Sequence, residues 1–102
     1  MLDAIEQHRE MLDALCRRVG AKRLDAFGSA VRSDFDATAS DLDFIVEFEP
    51  LAPARYADAY FTLKAELETL FGRRVDLLTE RNLDNPFLRR RVDAERQPVY
   101  AR

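Results

Sequence analysis

The sequence has little of what several large protein classes require. Its 102 residues include a single cysteine, Cys16, so no disulfide can form within the chain and this thiol is expected to pack on an apolar helix face. No apolar run approaches the roughly 20 residues that a membrane-spanning helix needs. The acidic, amphipathic N-terminal residues do not resemble a secretory signal. We therefore expect a cytoplasmic protein that makes no membrane contact.

Histidine is also scarce, and positive charge does not exceed negative charge. Sixteen Lys and Arg residues against 19 Asp and Glu give a formal net charge of −3, and this balance does not favour direct nucleic-acid binding. The one histidine, His8, falls in a predicted helix, where we expect a surface or half-buried position. An apolar fraction of 47% and a charged fraction of 34% are typical of a globular protein. With this length and no repeat, linker or low-complexity segment, they predict one domain over residues 1–102.

Hydrophobic periodicity predicts alternating helices and strands. The predicted elements are a helix over residues 2–19, a strand over 22–27, a short helical turn after Gly28, a strand from residue 41 to 48, a helix over 54–71, a strand over 73–79 and a helix from 86 to about 95. Residues 99–100 form either a short edge strand or a packed tail. The crossover through the helix over 54–71 makes the second and third strands parallel neighbours. The predicted fold class is α+β (mixed α/β), a small mixed β-sheet with helices packed over it, in the order α-β-α-β-α-β-α.

Helical spacing also predicts which side chains face the core. The inner stripe of the helix over 54–71 is predicted to contain Ala57, Tyr60, Phe61, Leu67, Leu70 and Phe71. In the last helix the inward residues are predicted to be Phe87, Leu88 and Val92. The aromatic residues near Tyr60 are interpreted as core packing rather than as a base-stacking surface, and the arginines at 89–91 as a solvated face.

The residues with the clearest chemistry lie between positions 27 and 46. A Gly28-Ser29 turn follows the first strand, where glycine allows close approach of a ligand and backbone N–H groups at a helix start can bind phosphate. Asp41 and Asp43 open the second strand two residues apart, so they project from the same face with their Cα atoms about 6.5–7 Å apart. Paired carboxylates of this kind hold hard divalent cations together with substrate phosphates.

A second Asp-x-Asp pair occurs at Asp34 and Asp36. It lies in a polar loop and no apolar alternation follows it, so we interpret these two residues as solvated loop acids.

A third candidate acid, Asp76, lies in the next strand, where aspartate is uncommon. The parallel crossover can bring it beside Asp41 and Asp43. If the three carboxylates converge, the site suits in-line displacement at a nucleotide α-phosphate, with two bound metal ions and Asp76 as the general base.

The chain contains Gly28-Ser29, Arg32 three positions later and Asp41-x-Asp43. These residues resemble the motif of the DNA polymerase β-like nucleotidyltransferases. The resemblance implies the nucleotidyltransferase fold, ATP as the donor substrate and two Mg²⁺ ions, with Mn²⁺ as a substitute. The residues that it implies as both catalytic and metal-binding are Asp41, Asp43 and Asp76. The residues that it implies for nucleotide binding are Gly28, Ser29, Ala30 and Arg32.

Two positions depart from the usual pattern of that family. Eleven residues rather than ten separate Ser29 from Asp41, and Ser33 stands where a glycine often follows the arginine. One additional loop residue costs little free energy, so the turn and the strand can keep their relative register.

The small size and layout resemble the minimal nucleotidyltransferases, or MNT domains, of HEPN–MNT toxin–antitoxin systems. The resemblance implies an antitoxin that transfers AMP to a hydroxyl, in these systems a tyrosine, of a HEPN ribonuclease toxin within a hetero-oligomer. Two alternatives stay open at this point. The chain could be a non-catalytic antitoxin that acts by binding alone, or a small-molecule nucleotidyltransferase subunit that works with a helical partner.

Overall fold

The computed structural model describes residues 3–28, residue 31 and residues 41–102. Within these ranges the chain forms α1 (Asp3–Gln7), α2 (Arg9–Val19), β1 (Ala21–Phe27), β2 (Leu42–Phe48), α3 (Pro53–Phe71), β3 (Val75–Thr79), a 3₁₀ helix (Glu80–Asp84), α4 (Pro86–Glu95) and β4 (Gln97–Ala101). The predicted mixed α+β class is confirmed. No helix in the described part of the chain is long and apolar enough to cross a membrane.

The described strands form one mixed sheet in the order β3-β2-β1-β4. β2 and β3 run parallel, as the crossover through α3 predicts, whereas β1 is antiparallel to both of its neighbours. Of the two alternatives for the C-terminus, the edge strand is correct, since Leu24 pairs with Tyr100. Resolving that alternative adds β4 to the end of the predicted element order. Pro98 does not prevent this pairing, because a proline is tolerated on an edge strand. The short helical turn predicted after Gly28 extends over residues outside the described part of the chain.

One face of the sheet carries the main apolar core, beneath α1, α2 and α3. Side chains alternate along a strand, so every second residue of each strand points into this layer. The strand residues buried there include Leu24, Ala26, Leu42, Phe44, Val46, Val75 and Leu77. Cys16 is buried in the same core, as predicted, and burial raises the pKa of its thiol to about 12. The thiol therefore stays protonated and acts as a small apolar side chain.

The helix predicted over residues 2–19 is interrupted at His8. His8 has φ −108° and ψ 18°, and its Nδ1 lies 2.7 Å from the Ala4 carbonyl oxygen. Its half-buried ring packs edge-on against Phe71, with the ring centroids 5.6 Å apart. Ile5 before the break and Leu12 after it are both fully buried. The expected half-buried position of His8 is confirmed.

The inner stripe of α3 differs from the predicted one. Ala59, Leu63 and Leu67, spaced by four residues, are its buried side chains, whereas Ala57 is exposed and Phe61 is 66% exposed. The prediction gave weight to large aromatic residues. The rest of the predicted stripe is confirmed, since Leu67 is buried and Tyr60, Leu70 and Phe71 are partly buried against the same core.

The opposite face of the sheet is only partly covered. Phe27 and Ile45 pack there with Leu83 of the 3₁₀ helix and Val92 of α4. The predicted inward position of Phe87 is wrong, because this residue lies in the first turn of α4 and is 76% exposed. We call this face the open face, because its side chains at the starts of β2 and β3, Asp43 and Asp76, are half-buried and exposed, respectively.

Candidate active site

Three chain segments meet at one end of the open face. β1 is antiparallel to β2 and β3, so the end of β1 lies beside the starts of the other two strands. Asp43 occupies the middle of this arrangement, paired with Phe27 on one side and with Asp76 on the other.

The pairing of Asp43 with Asp76 confirms that the crossover brings these two acids together. Residues in register on adjacent strands project from the same face, and the strands are about 4.8 Å apart. Asp43 is half-buried and Asp76 is exposed. Two carboxylates in this position repel each other unless a cation lies between them.

Gly28 presses directly against this acid pair. Its φ is +69°, and a Cβ atom added there would overlap the Asp43 carboxylate. The Val31 N–H donates to the Gly28 carbonyl at 3.0 Å. Glycine is therefore required twice over, for the left-handed conformation and for the space that the Asp43 side chain occupies.

Asp41 lies one residue before β2 and is held by a different partner. Its Oδ1 is 3.4 Å from Nε of Arg74, the residue that precedes β3. The Leu42 N–H donates to the Arg74 carbonyl at 3.1 Å, so the two segments are joined through the backbone at the same point. In this structure the Asp41 carboxylate is thus neutralised by a guanidinium.

The other predicted site residues lie outside the described part of the chain. These are Ser29, Ala30 and Arg32, together with the second acid pair, Asp34 and Asp36.

The acids that are described provide a donor set that fits a divalent cation. Carboxylate oxygens are the ligands that Mg²⁺ and Mn²⁺ prefer. The absence of a Cβ at Gly28 leaves room for the Asp43 carboxylate, because an added Cβ would overlap it. Among the described residues, however, no three His, Cys, Asp or Glu side chains are already gathered as a cation cluster. The ion pair between Asp41 and Arg74 gives a physical reason, because it provides Asp41 with a positive partner outside the Asp43–Asp76 pair.

A tyrosine from α3 lies at the outer edge of β3 beside this site. The Tyr60 hydroxyl donates to the Leu77 carbonyl at 2.5 Å. Burial raises the pKa of Tyr60, and the nearby Asp76 carboxylate raises it further. The phenol stays protonated and continues to donate to a strand carbonyl, which protects this edge of the sheet.

Sequence reasoning missed one buried acid, Asp25 in the middle of β1. Its side chain is completely buried, and it lies on the same face of the sheet as Asp43. Its carboxylate accepts from Nε of Arg23 at 2.9 Å and from Nε of Arg96 at 2.7 Å. The available signal was an acidic residue between Leu24 and Ala26, since a charge at such a position must be paired.

Arg96 joins this buried acid to the segment that covers the face. Its guanidinium also contacts Glu80 at 2.9 Å and Asp93 at 3.1 Å. Burial opposes the positive charge, but the hydrogen bonds to Glu80, Asp25 and Asp93 outweigh it and raise the pKa of Arg96. The predicted solvated face is confirmed, because residues 89–91 are all exposed, and Arg89 also donates to the Leu83 carbonyl at 3.1 Å. These bonds fix the 3₁₀ helix and α4 against the sheet.

Comparison with known proteins identifies the family of this chain. The family model described as a nucleotidyltransferase domain matches residues 8–99. The chain belongs to this family. A solved structure provisionally identified as a minimal nucleotidyltransferase is 39% identical to this chain and superimposes with a TM-score of 0.76. The match covers 96% of this chain and 96% of that one. A protein of Methanocaldococcus jannaschii, provisionally named a protein adenylyltransferase, is 34% identical over 85% of this chain and 87% of its own.

A third similarity concerns the fold alone. A chain of the solved complex between a tri-AMPylated Shewanella oneidensis HEPN toxin and an MNT antitoxin superimposes with a TM-score of 0.63 at 18% identity, over 96% of this chain and 73% of that one. The predicted nucleotidyltransferase fold is confirmed by these matches. Nucleotidyltransferases of this family generally use nucleoside triphosphates and divalent metal ions.

Proposed function

We propose that this protein is an antitoxin that works by catalysis. It transfers AMP from ATP to a tyrosine hydroxyl of a HEPN ribonuclease toxin, with which it forms a hetero-oligomer. The observation that carries this proposal is the in-register pair of Asp43 and Asp76 beside the Gly28 turn. Because the reaction consumes ATP, we assign the protein to the cytoplasm.

Two of the similar proteins support the choice of substrate. The Methanocaldococcus relative carries the name of a protein adenylyltransferase, which suits a reaction on a protein. The Shewanella complex contains a HEPN toxin that carries three AMP groups together with an MNT antitoxin, and it shares the fold of this chain.

In the proposed mechanism the three acids hold two Mg²⁺ ions, for which Mn²⁺ can substitute. Bound divalent cations supply positive charge to the phosphates. Asp41 and Asp43 would orient the triphosphate through a cation that they would hold, from the more buried side of the site. Asp76 is exposed, so the acceptor hydroxyl can approach it and give up its proton there. The acceptor oxygen then bonds to the α-phosphorus, the bond to the β-phosphate oxygen breaks, and pyrophosphate leaves.

Residues at the end of β1 complete the proposed nucleotide site. The Gly28 backbone lies against Asp43, and the following Ser29 and Ala30 are proposed to bind the β- and γ-phosphates. Arg32 is proposed to neutralise the leaving pyrophosphate.

A second candidate function rests on the Asp41–Arg74 ion pair. Because Arg74 already neutralises Asp41, the fold does not need a metal ion at this acid. The chain could then silence its partner by binding to it, without any transfer of AMP. The experiment below separates the two functions.

The test uses less antitoxin than toxin, with ATP and Mg²⁺ present. The parent protein is expected to silence an excess of its partner, and each silenced molecule should gain mass in multiples of one AMP. Asp76→Asn keeps the shape of the side chain but removes its charge, so transfer should fall by roughly 10²–10⁴-fold while binding is retained. Asp58→Asn, at an exposed acid on α3, is the matched control and should behave like the parent.

The opposite result is equally clear. If Asp76→Asn and the parent silence the partner only at equal stoichiometry, and neither adds mass to it, the protein acts by binding and the catalytic proposal is wrong.

A further inference from the structure

The arginine at the start of β3 is part of the acid site, although the sequence motif does not include it. Arg74 is followed two residues later by Asp76, and its backbone carbonyl accepts the Leu42 N–H at 3.1 Å. Its backbone is therefore fixed beside the first residue of β2, and its guanidinium reaches Asp41 without any rearrangement of the backbone.

The contact that it makes is weak and open to solvent. Nε of Arg74 lies 3.4 Å from Oδ1 of Asp41, and the two side chains are 83% and 43% exposed. Exposed ion pairs of this kind contribute little free energy and exchange easily with other ions. A divalent cation carries twice the charge of a guanidinium in a smaller volume, so it competes effectively for the same carboxylate.

We propose that Arg74 exchanges one partner for another during the reaction cycle. It neutralises Asp41 while no divalent cation is bound, gives up that carboxylate when the cation binds, and then donates to the phosphates of the nucleoside triphosphate. The inference rests on the proposed function above and assigns to this reaction a positioning residue that lies outside the recognised motif.

The chemistry of the side chain suits the second half of this exchange. A guanidinium presents several N–H donors in one plane and matches the oxygens of a phosphate better than an ammonium does. A triphosphate brought beside three carboxylates also requires additional positive charge close to the site. Arg74, which directly precedes the strand that carries Asp76, supplies this positive charge.

The experiment measures binding rather than turnover, so it does not depend on the partner protein. Mn²⁺ is titrated into the nucleotide-free protein and followed by its electron paramagnetic resonance signal. ATP is then titrated calorimetrically at saturating Mg²⁺. Arg74→Ala removes the competing charge and should bind Mn²⁺ about 2–5-fold more tightly. The same variant loses charged hydrogen bonds to the phosphates and should bind ATP about 10-fold more weakly or worse.

Two further variants show whether the effect belongs to this residue. Arg74→Lys keeps the charge but not the planar donors, so its Mn²⁺ affinity should stay close to that of the parent while its ATP affinity falls part of the way. Lys22→Ala is the matched control, because Lys22 bridges from a neighbouring strand to Glu47 of β2 at 3.6 Å, at the far end of the strand. It should leave both affinities unchanged.

The possible failures are distinguishable. If the parent binds neither Mn²⁺ nor ATP, the proposed function fails and this inference fails with it. If the parent binds both and Arg74→Ala matches Lys22→Ala, only the role of Arg74 is overturned. Tighter Mn²⁺ binding with unchanged ATP binding would also overturn the exchange, since Arg74 would then be only a local counter-charge.

Discussion

Two aspartate–arginine pairs have the same charged groups but differ in the distance between them and in their exposure to solvent. Asp25 and Arg96 are 2.7 Å apart, with side chains that are 0% and 15% exposed. Asp41 and Arg74 are 3.4 Å apart, with side chains that are 43% and 83% exposed. The first pair is part of the structure that covers the face, and the second lies at the open end.

The difference between the two pairs follows from the hydration of each carboxylate. Removing the Asp25 carboxylate from water carries a large desolvation cost, so this acid requires a permanent partner and Arg96 cannot be exchanged. Asp41 remains partly hydrated, and an ion pair this exposed contributes little free energy. A carboxylate of the second kind is suited to binding a substrate ion, whereas one of the first kind is suited to fixing the fold.

The most disruptive way to test this comparison is to remove the partner of the buried acid. Arg96→Ala leaves Asp25 buried with Arg23, 2.9 Å away, as its remaining cationic partner among the described residues. We expect the free energy of unfolding to fall by about 3 kcal/mol, at the lower end of the range for a broken buried pair, because Arg23 still supplies one charge. Urea denaturation followed by circular dichroism measures the change.

A double variant serves as the control for that loss. Asp25→Leu combined with Arg96→Met removes both charges and keeps the volume, so most of the lost stability should return. If Arg96→Ala alone costs no more than an exposed pair does, then Asp25 is not effectively buried and the distinction between the two pairs disappears.

The second prediction concerns the backbone that supports the acid site. Gly28→Ala and Gly72→Ala introduce the same methyl group at similar φ values, +69° and +65°, so each should lose about 1–2 kcal/mol of stability from left-handed strain. Only at Gly28 would the new Cβ atom overlap the Asp43 carboxylate, because nothing lies within 4 Å of the position at Gly72. Gly28→Ala should therefore also lose the increase in melting temperature that Mg²⁺ with ATP gives the parent.

Thermal melts with and without Mg²⁺ and ATP separate these two effects. An equal ligand-induced increase in both variants would show that the close packing of Gly28 on Asp43 has no part in ligand binding.

The part of the site that depends on local patterns could be predicted from the sequence. Alternation along β2 placed Asp43 on the open face, and the crossover rule made β3 its parallel neighbour, so the approach of Asp76 followed from both. The requirement for glycine at position 28 followed in the same way from the turn that ends β1.

The features that could not be predicted depend on contacts between distant segments. The burial of Asp25 becomes understandable only with Arg96, which is 71 residues away in the sequence. The exposure of Phe61 and Phe87 depends on how far each helix extends over the sheet, and helical spacing does not contain that information. The ring contact between His8 and Phe71, at the end of α3, likewise joins residues that are far apart in the sequence.

The smallest expected effect completes the comparison. Arg74→Ala removes an exposed guanidinium from a half-exposed acid, so the free energy of unfolding should change by less than about 1 kcal/mol. Whatever change remains should shrink as NaCl is raised from 10 mM to 1 M, because the screening length falls from about 30 Å to about 3 Å. The loss in Arg96→Ala should persist at high salt, since mobile ions do not enter the buried site. A salt-independent loss of several kcal/mol in Arg74→Ala would mean that the Asp41 pair is structural, and it would remove the basis for an exchange of partners at the acid site.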